Sequence, residues 1–196
     1  EKYTQTDMIY LARGGFWLTL GQVISTAGSF LLAIAFANLL SKETYGTYTY
    51  VISLAGLLAI FTLPGMNAAT TQAVALGYED SFLPALKTRL RWGVLGGMAS
   101  LGAAGYYFLN NNATLTICFL ISAAFLPLID SFLIYEAFWA GKKQFKVQTK
   151  YRIINQILAI SALIVTLLLT KNLFLILLVY FLSHALFNFV FLQITL

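Results

Sequence analysis

An uncharged stretch, residues 14–41, is the feature that most limits what this chain can fold into. It runs for 28 residues between Arg13 and Lys42, and most of its side chains are apolar. A helix of this length rises about 1.5 Å per residue and is longer than the roughly 30 Å hydrocarbon core of a bilayer. We therefore predict a transmembrane helix here.

Small and polar residues of this stretch recur at spacings of three and four, so they share one face of the predicted helix. They are Gly15, Thr19, Gln22, Thr26, Ser29 and Ala33. In a bilayer, such a face contacts another helix or a wet cavity rather than lipid. Two interpretations stay open: the face is a helix-packing seam, or Gln22 and Thr26 belong to the wall of a hydrated substrate pathway.

The composition excludes an ordinary water-soluble domain. Hydrophobic residues make up 60% of the chain and charged residues only 10%, whereas soluble domains carry about 25% charged residues. The net charge of +5 comes from short segments between apolar runs, which indicates membrane orientation rather than a nucleic-acid partner. Cys118 is the single cysteine and lies in an apolar run, so neither a disulfide framework nor a metal site is predicted.

Five more apolar runs follow the first, so we predict an all-α, polytopic membrane protein. Residues 1–13 would form an interfacial arm and residues 14–196 a lobe of six transmembrane helices. The predicted spans are 14–40, 46–72, 92–109, 114–140, 153–170 and 173–196. Because the last run reaches Leu196 without a polar flank, we expect the chain to be part of a longer protein.

Breaker residues refine two of these spans. Pro64 and Gly65 predict a kink in the second span, which would bring Asn67 and Gln72 to its far interface. Three asparagines at 110–112 predict the hairpin turn between the third and fourth spans.

The basic residues predict the orientation of the lobe. The N-terminal arm and the predicted loops 79–91 and 141–152 hold ten of the 12 Lys and Arg residues, and the opposite side holds two. Cytoplasmic segments of membrane proteins are enriched in these residues. We therefore expect the N-terminus and both of these loops to face the cytoplasm.

Asp130 is the first candidate site residue, because a carboxylate near the centre of a span costs about 2.5 to 3.5 kcal/mol. It shares a side of the fourth span with Ala123, Pro127 and Ala137 and should point into the bundle. It is either a substrate-pathway, cation or proton site, or the acceptor of a structural hydrogen bond. Glu136 lies closer to the interface, where an ion pair with the nearby Lys142 or Lys143 is expected.

His184 lies about midway along the sixth span, with Tyr180 and Asn188 one turn away on the same face. It could serve a proton relay or make an interhelical hydrogen bond. No second histidine or carboxylate stands at chelating spacing, so metal ligation is not predicted. The sequence shows no nucleophile motif, phosphate-binding glycine loop or ATP-binding motif. We predict neither an enzyme nor a cofactor.

Two blocks of the chain resemble the polysaccharide-biosynthesis flippases, the O-antigen type transporters of the multidrug/oligosaccharidyl-lipid/polysaccharide superfamily. The first block has Arg13 before a glycine-led span, the turn LLSKETYGTY and the segment PGMNAATTQAVA. The second, LIYEAFWAGKKQFKVQTKYRIINQI, is similar to the junction of the fourth and fifth spans in that family.

The resemblance implies about twelve spans in two six-helix lobes around a central cavity, of which this chain would be the N-terminal lobe. Such proteins move a polyprenyl-pyrophosphate-linked oligosaccharide to the outer leaflet of a bacterial or archaeal cell membrane by alternating access. Polysaccharide polymerases or glycosyltransferases are the implied protein partners. The family often has a basic residue after the break in the second span, where this chain has Gln72.

Three functional hypotheses remain at this point. In a flippase, Gln22, Asp130 and His184 would line a polar lumen, and Arg13 would bind phosphate at the cytoplasmic mouth unless it is only a positive-inside anchor. In a cation-coupled small-molecule exporter of the same superfamily, efflux would depend on Asp130. In a non-transporting membrane scaffold, the polar faces would only pack helices.

Overall fold

A computed structural model describes the backbone of residues 8–196, and the side chains of residue 12 and of residues 14–196. The described chain contains eight α-helices and no strand. In chain order they are α1 (Met8–Leu39), α2 (Lys42–Leu58), α3 (Met66–Ala75), α4 (Phe82–Leu109), α5 (Ala113–Phe132), α6 (Tyr135–Gly141), α7 (Phe145–Leu169) and α8 (Leu173–Thr195). The predicted all-α fold is confirmed.

Within residues 8–196, five segments are long and apolar enough to cross a membrane: Gly14–Leu39, Lys42–Thr62, Ala113–Gly141, Phe145–Leu169 and Leu173–Thr195. The chain is therefore a multi-pass membrane protein. The predicted third span forms the C-terminal part of α4. This helix contains five glycines and three basic residues and is not among these five segments.

A tight hairpin joins α4 to α5, as the asparagines predicted. Asn111 adopts the left-handed conformation with φ 55°, and Asn112 caps α5 by accepting a hydrogen bond from the Leu115 amide at 3.1 Å. The small residues of α4 then lie directly against α5. A Cβ atom on Gly93 would meet the carbonyl oxygen of Pro127 at 3.1 Å, so a larger residue would push α5 away by a few tenths of an ångström.

Glycines also set the distance between α1 and α7. Gly14, Gly21 and Gly28 recur every seven residues, and each lies against a side chain of α7. Thr149 of α7 donates a hydrogen bond to the Trp17 carbonyl at 3.1 Å. The packing seam of α1 is therefore the line of these three glycines, beside the line that carries Gln22.

The second span is broken rather than kinked. A short 3-10 turn, Ala59–Thr62, extends α2, Leu63 is left-handed at φ 55°, and α3 begins anew at Met66. Proline lacks an amide hydrogen and disfavours the helical conformation in the residue before it, which explains the break at Pro64. The predicted fourth span is also divided, since α5 ends at Phe132 and α6 begins at Tyr135.

Both basic segments that the sequence analysis assigned to loops are mostly helical, so that prediction was wrong. Residues 82–91 begin α4 and residues 145–152 begin α7. The first segment buries Phe82, Leu86 and Arg89, which share one helix face. This segment is therefore the start of an amphipathic helix and not a charged loop. Of the predicted interfacial arm, residues 8–13 belong to α1, and residues 1–7 lie outside the described part of the chain.

The buried apolar residues form two separate cores. The first contains Phe36, Val51, Cys118, Phe119, Leu163, Ile176 and Phe181. The second contains Val74, Phe82, Leu86, Ile134, Tyr135, Phe138 and Phe191. Along α4, α5 and α8, the residues between these cores include Arg89, Asp130, His184 and Asn188. A polar layer therefore separates the two cores and contains the candidate site.

Candidate functional site

Among the residues whose side chains the structure describes, Arg89 is the most deeply buried charged one, with 2% of its surface exposed. Its Nε donates a hydrogen bond to the Thr62 carbonyl at 3.2 Å, and its Nη1 donates one to Asn67 Oδ1 at 2.5 Å. Thr62 is the last residue before the break in the second span, so its carbonyl lacks the usual helical partner. Arg89 supplies that partner and joins the two halves of the span.

Asp130 lies on the other side of the same break. Its Oδ2 lies 3.4 Å from the Thr62 hydroxyl, which donates its main hydrogen bond to the Ala59 carbonyl at 2.7 Å. The carboxylate is near enough to the Arg89 guanidinium for the two charges to attract. The half-buried carboxylate also borders a cavity of about 160 Å³ between α2, α5 and α8. The structure thus brings Asn67 and Asp130 together around Arg89.

Arg89 was predicted to lie in a loop, although the sequence contains a signal for its burial. Arg89, Gly93, Gly97 and Ser100 follow one another at spacings of four, four and three. These spacings place Arg89 on the same helix face as the small residues that pack against α5. An arginine at the end of such a stripe is directed into the bundle.

A polar groove of about 380 Å³ opens between α1, α7, α8 and the junction of α5 with α6. It brings together Gln22 and His184, two of the predicted site residues. The other residues that line it are Ser25, Ile129, Leu133, Glu136, Arg152, Asn155, Gln156 and Asn188. Four helices contribute polar side chains, so the groove exists only in the folded lobe.

Glu136 and Arg152 form a bidentate ion pair in this groove. Arg152 Nη2 lies 2.5 Å from Glu136 Oε2, and Arg152 Nε lies 3.2 Å from Glu136 Oε1. The Glu136 side chain is only 13% exposed, and a pair of this geometry is among the strongest that proteins make. The prediction that Glu136 forms an ion pair with Lys142 or Lys143 was therefore wrong. Lys142 instead pairs with Glu79 at 2.8 Å.

Two asparagines connect α7 and α8 at the back of the groove. Asn155 Nδ2 donates to Asn188 Oδ1 at 2.5 Å, and Asn188 Nδ2 donates to the Ile129 carbonyl at 3.0 Å. Ile129 lies one turn before the junction of α5 with α6. His184 packs edge-on against the Tyr180 ring, with centroids 4.6 Å apart. These contacts hold the polar side chains in place.

The remaining predicted residues lie at the edge of these clusters or outside them. Gln22 donates a long hydrogen bond of 3.4 Å to Thr26, and both side chains are exposed. Gln72 is exposed on α3 and belongs to neither cluster. The side chain of Arg13 lies outside the described part of the chain. On the polar face of α1, Gln22 thus borders the groove, and Ser29 accepts a hydrogen bond from Gln156 Nε2 of α7 at 3.4 Å.

The sequence profile of the family described as polysaccharide biosynthesis protein matches residues 11–196. Comparison with curated proteins and with solved structures gave no match. The family match extends over both the Arg89 cluster and the polar groove, and it agrees with the helical, multi-pass architecture. The chain belongs to the polysaccharide biosynthesis protein family and is a polysaccharide-related membrane transporter.

Proposed function

We propose that the protein moves a polyprenyl-pyrophosphate-linked oligosaccharide from the cytoplasmic to the outer leaflet by alternating access. The setting is the cell membrane of a bacterium or archaeon, and the product serves cell-surface polysaccharide synthesis. The protein acts as a transporter and not as an enzyme. The single observation that carries the proposal is the polar groove of about 380 Å³ within the transmembrane lobe.

The sugar headgroup is the part of the substrate that needs a polar path. A sugar carries many hydroxyl groups, and each loses hydrogen bonds with water when it enters hydrocarbon. A flippase must therefore offer polar side chains across the membrane. The groove supplies Gln22, Gln156, Asn188 and the Glu136–Arg152 pair along its wall.

The opposite wall of the passage would come from other residues of the assembly. Gln22 and Thr26 are exposed on α1, and polar side chains in a membrane face protein or water rather than lipid. A second six-helix lobe opposite α1 would enclose them. A polysaccharide polymerase or glycosyltransferase would supply or receive the lipid-linked substrate, and Arg13 remains the candidate for phosphate at the cytoplasmic mouth.

The surroundings of Asp130 favour this proposal over a cation-coupled exporter. A carboxylate that serves as a transported-cation site needs its charge free for the cation. Here the Arg89 guanidinium already attracts it. Efflux of cationic dyes that follows a proton or sodium gradient, with no leaflet transfer of a lipid-linked sugar, would instead establish the exporter.

The proposed orientation predicts which turns react with a membrane-impermeant thiol reagent on intact cells. We expect Asn110→Cys to react from outside and Lys146→Cys to react only after the cells are made permeable. Both positions are exposed, and Cys118 is fully buried and shielded from the reagent. Labelling in the reverse pattern would overturn the cytoplasmic assignment of the N-terminus.

The function itself is tested by leaflet transfer in liposomes that contain the full-length protein. The probe is a fluorescent polyprenyl pyrophosphate oligosaccharide. We expect transfer well above that of empty liposomes, and Gln22→Ala should slow it roughly fivefold, the equivalent of one hydrogen bond of about 1 kcal/mol.

Asn38→Ala is the matched control for this experiment. Asn38 is also an exposed amide of α1, but it donates to the Ile34 carbonyl of its own helix and lies outside the groove. It should leave the rate unchanged. Absence of transfer by the unmodified protein would refute the flippase proposal, and equal slowing by both variants would refute the assignment of Gln22.

A further inference from the structure

We infer that the polar groove binds uncharged sugar residues of the substrate, and that Glu136 sets this preference by neutralising Arg152. The inference rests on the proposed function and deepens it. It names the part of the lipid-linked substrate that this groove takes, and it excludes the diphosphate from the same place.

The pairing of Glu136 with Arg152 opposes the binding of an anion in the groove. An arginine in a groove is a good ligand for phosphate or carboxylate, because its planar fork donates two parallel hydrogen bonds. In this groove Glu136 accepts hydrogen bonds from both Nε and Nη2 of Arg152. An anionic ligand would have to displace a carboxylate that is only 13% exposed and would then lack a partner. The pair therefore opposes anion binding.

The amide side chains that line the groove match the hydroxyl groups of a sugar. Gln22, Asn155, Gln156 and Asn188 are primary amides, and each can both donate and accept hydrogen bonds. Sugar hydroxyl groups also do both, so amides match them better than a cluster of cations would. Ile129 and Leu133 add apolar surface for the carbon-bound hydrogens of a sugar ring.

Ser25 Oγ borders the groove, is buried and has no hydrogen-bond partner in the described part of the chain. A ligand hydroxyl would satisfy this atom after a side-chain rotation, since nearly all buried polar atoms in proteins have a hydrogen-bond partner. The groove volume of about 380 Å³ lies within the range of about 300 to 1,000 Å³ for small-molecule sites.

Transport of two matched substrates tests the inference. Both carry the same polyprenyl pyrophosphate, one bears a neutral oligosaccharide, and the other has a uronic acid in place of one hexose. The unmodified full-length protein should move the neutral substrate faster. Glu136→Gln removes the charge that neutralises the Arg152 guanidinium and should raise the acidic-to-neutral rate ratio about tenfold. The double variant Glu136→Gln with Arg152→Gln, which again has no net charge, should restore the original ratio.

A binding measurement in detergent supports this test and does not depend on transport. Inorganic pyrophosphate should raise the melting temperature of Glu136→Gln more than that of the unmodified protein, since a ligand stabilises the folded state it binds. The double variant should lose this extra shift. An equal shift in all three proteins would mean that pyrophosphate binding does not depend on Arg152, and it would overturn the inference.

The outcomes separate this inference from the function on which it rests. If the unmodified protein moves neither lipid-linked substrate, the flippase proposal fails. If it moves both and Glu136→Gln leaves their ratio unchanged, the flippase proposal stands and the sugar-site inference is overturned. A ratio that changes equally in the single and the double variant would also overturn it, because the effect would then not depend on Arg152.

Discussion

Replacement of Arg89 by methionine is expected to lower the free energy of unfolding by about 3 to 5 kcal/mol, because it removes two hydrogen bonds from a charged donor and each contributes about 1.5 to 3 kcal/mol. The Thr62 carbonyl and Asn67 Oδ1 would lose their donor, and the carboxylate of Asp130 would lose its nearby cation. The unfolding midpoint of the purified protein in detergent measures the effect.

Arg91→Met provides the control, because Arg91 follows two residues later on α4 and is exposed. Its effect should stay within about 0.5 kcal/mol. The double variant Arg89→Met with Asp130→Asn should recover part of the loss, since it removes both buried charges. Equal destabilisation by Arg89→Met and Arg91→Met would contradict the assigned role of Arg89.

The second large effect is expected at Gly141, the last residue of α6. A Cβ atom there would lie 2.7 Å from both the Thr71 carbonyl oxygen and Val74 Cβ on α3. A backbone carbonyl cannot rotate away as a flexible side chain can, so α3 would have to shift. The Thr71 hydroxyl also donates to the Ala137 carbonyl at 3.1 Å, which ties α3 to α6. Gly141→Ala should therefore destabilise the fold by about 1 to 3 kcal/mol.

Gly46→Ala serves as the comparison in the same melting experiment. Gly46 lies in α2, and a Cβ atom there would meet nothing within 4 Å. Alanine favours a helix over glycine by up to about 1 kcal/mol, so this variant should be neutral or slightly more stable. A loss at Gly46 as large as that at Gly141 would show that close packing of α3 against α6 is not the cause.

Several elements of the fold could be predicted because they depend on residues that are near one another in sequence. The apolar runs specified membrane helices, and Pro64 with Gly65 specified where the second span is interrupted. The asparagines at 110–112 specified the hairpin. The division between α5 and α6 was missed, because no proline or glycine stands at residues 133 and 134.

The candidate site was predictable only in part. Gln22, Asp130 and His184 were noticed because polar groups are costly inside a membrane. Arg89 and Arg152 were counted with loop charges, since both lie in segments rich in Lys and Arg. Whether such a side chain turns to water or into the bundle depends on which helix packs against it.

The sequence by itself determined that this chain is an all-α, multi-pass membrane protein with polar residues inside its spans. Local composition and periodicity suffice for that, because a bilayer admits few backbone structures. Only the tertiary structure decided the pairing of Glu136 with Arg152 and of Arg89 with the broken span. These partners lie 16 and 27 residues apart, and their contact follows from how the helices pack rather than from any pattern along the chain.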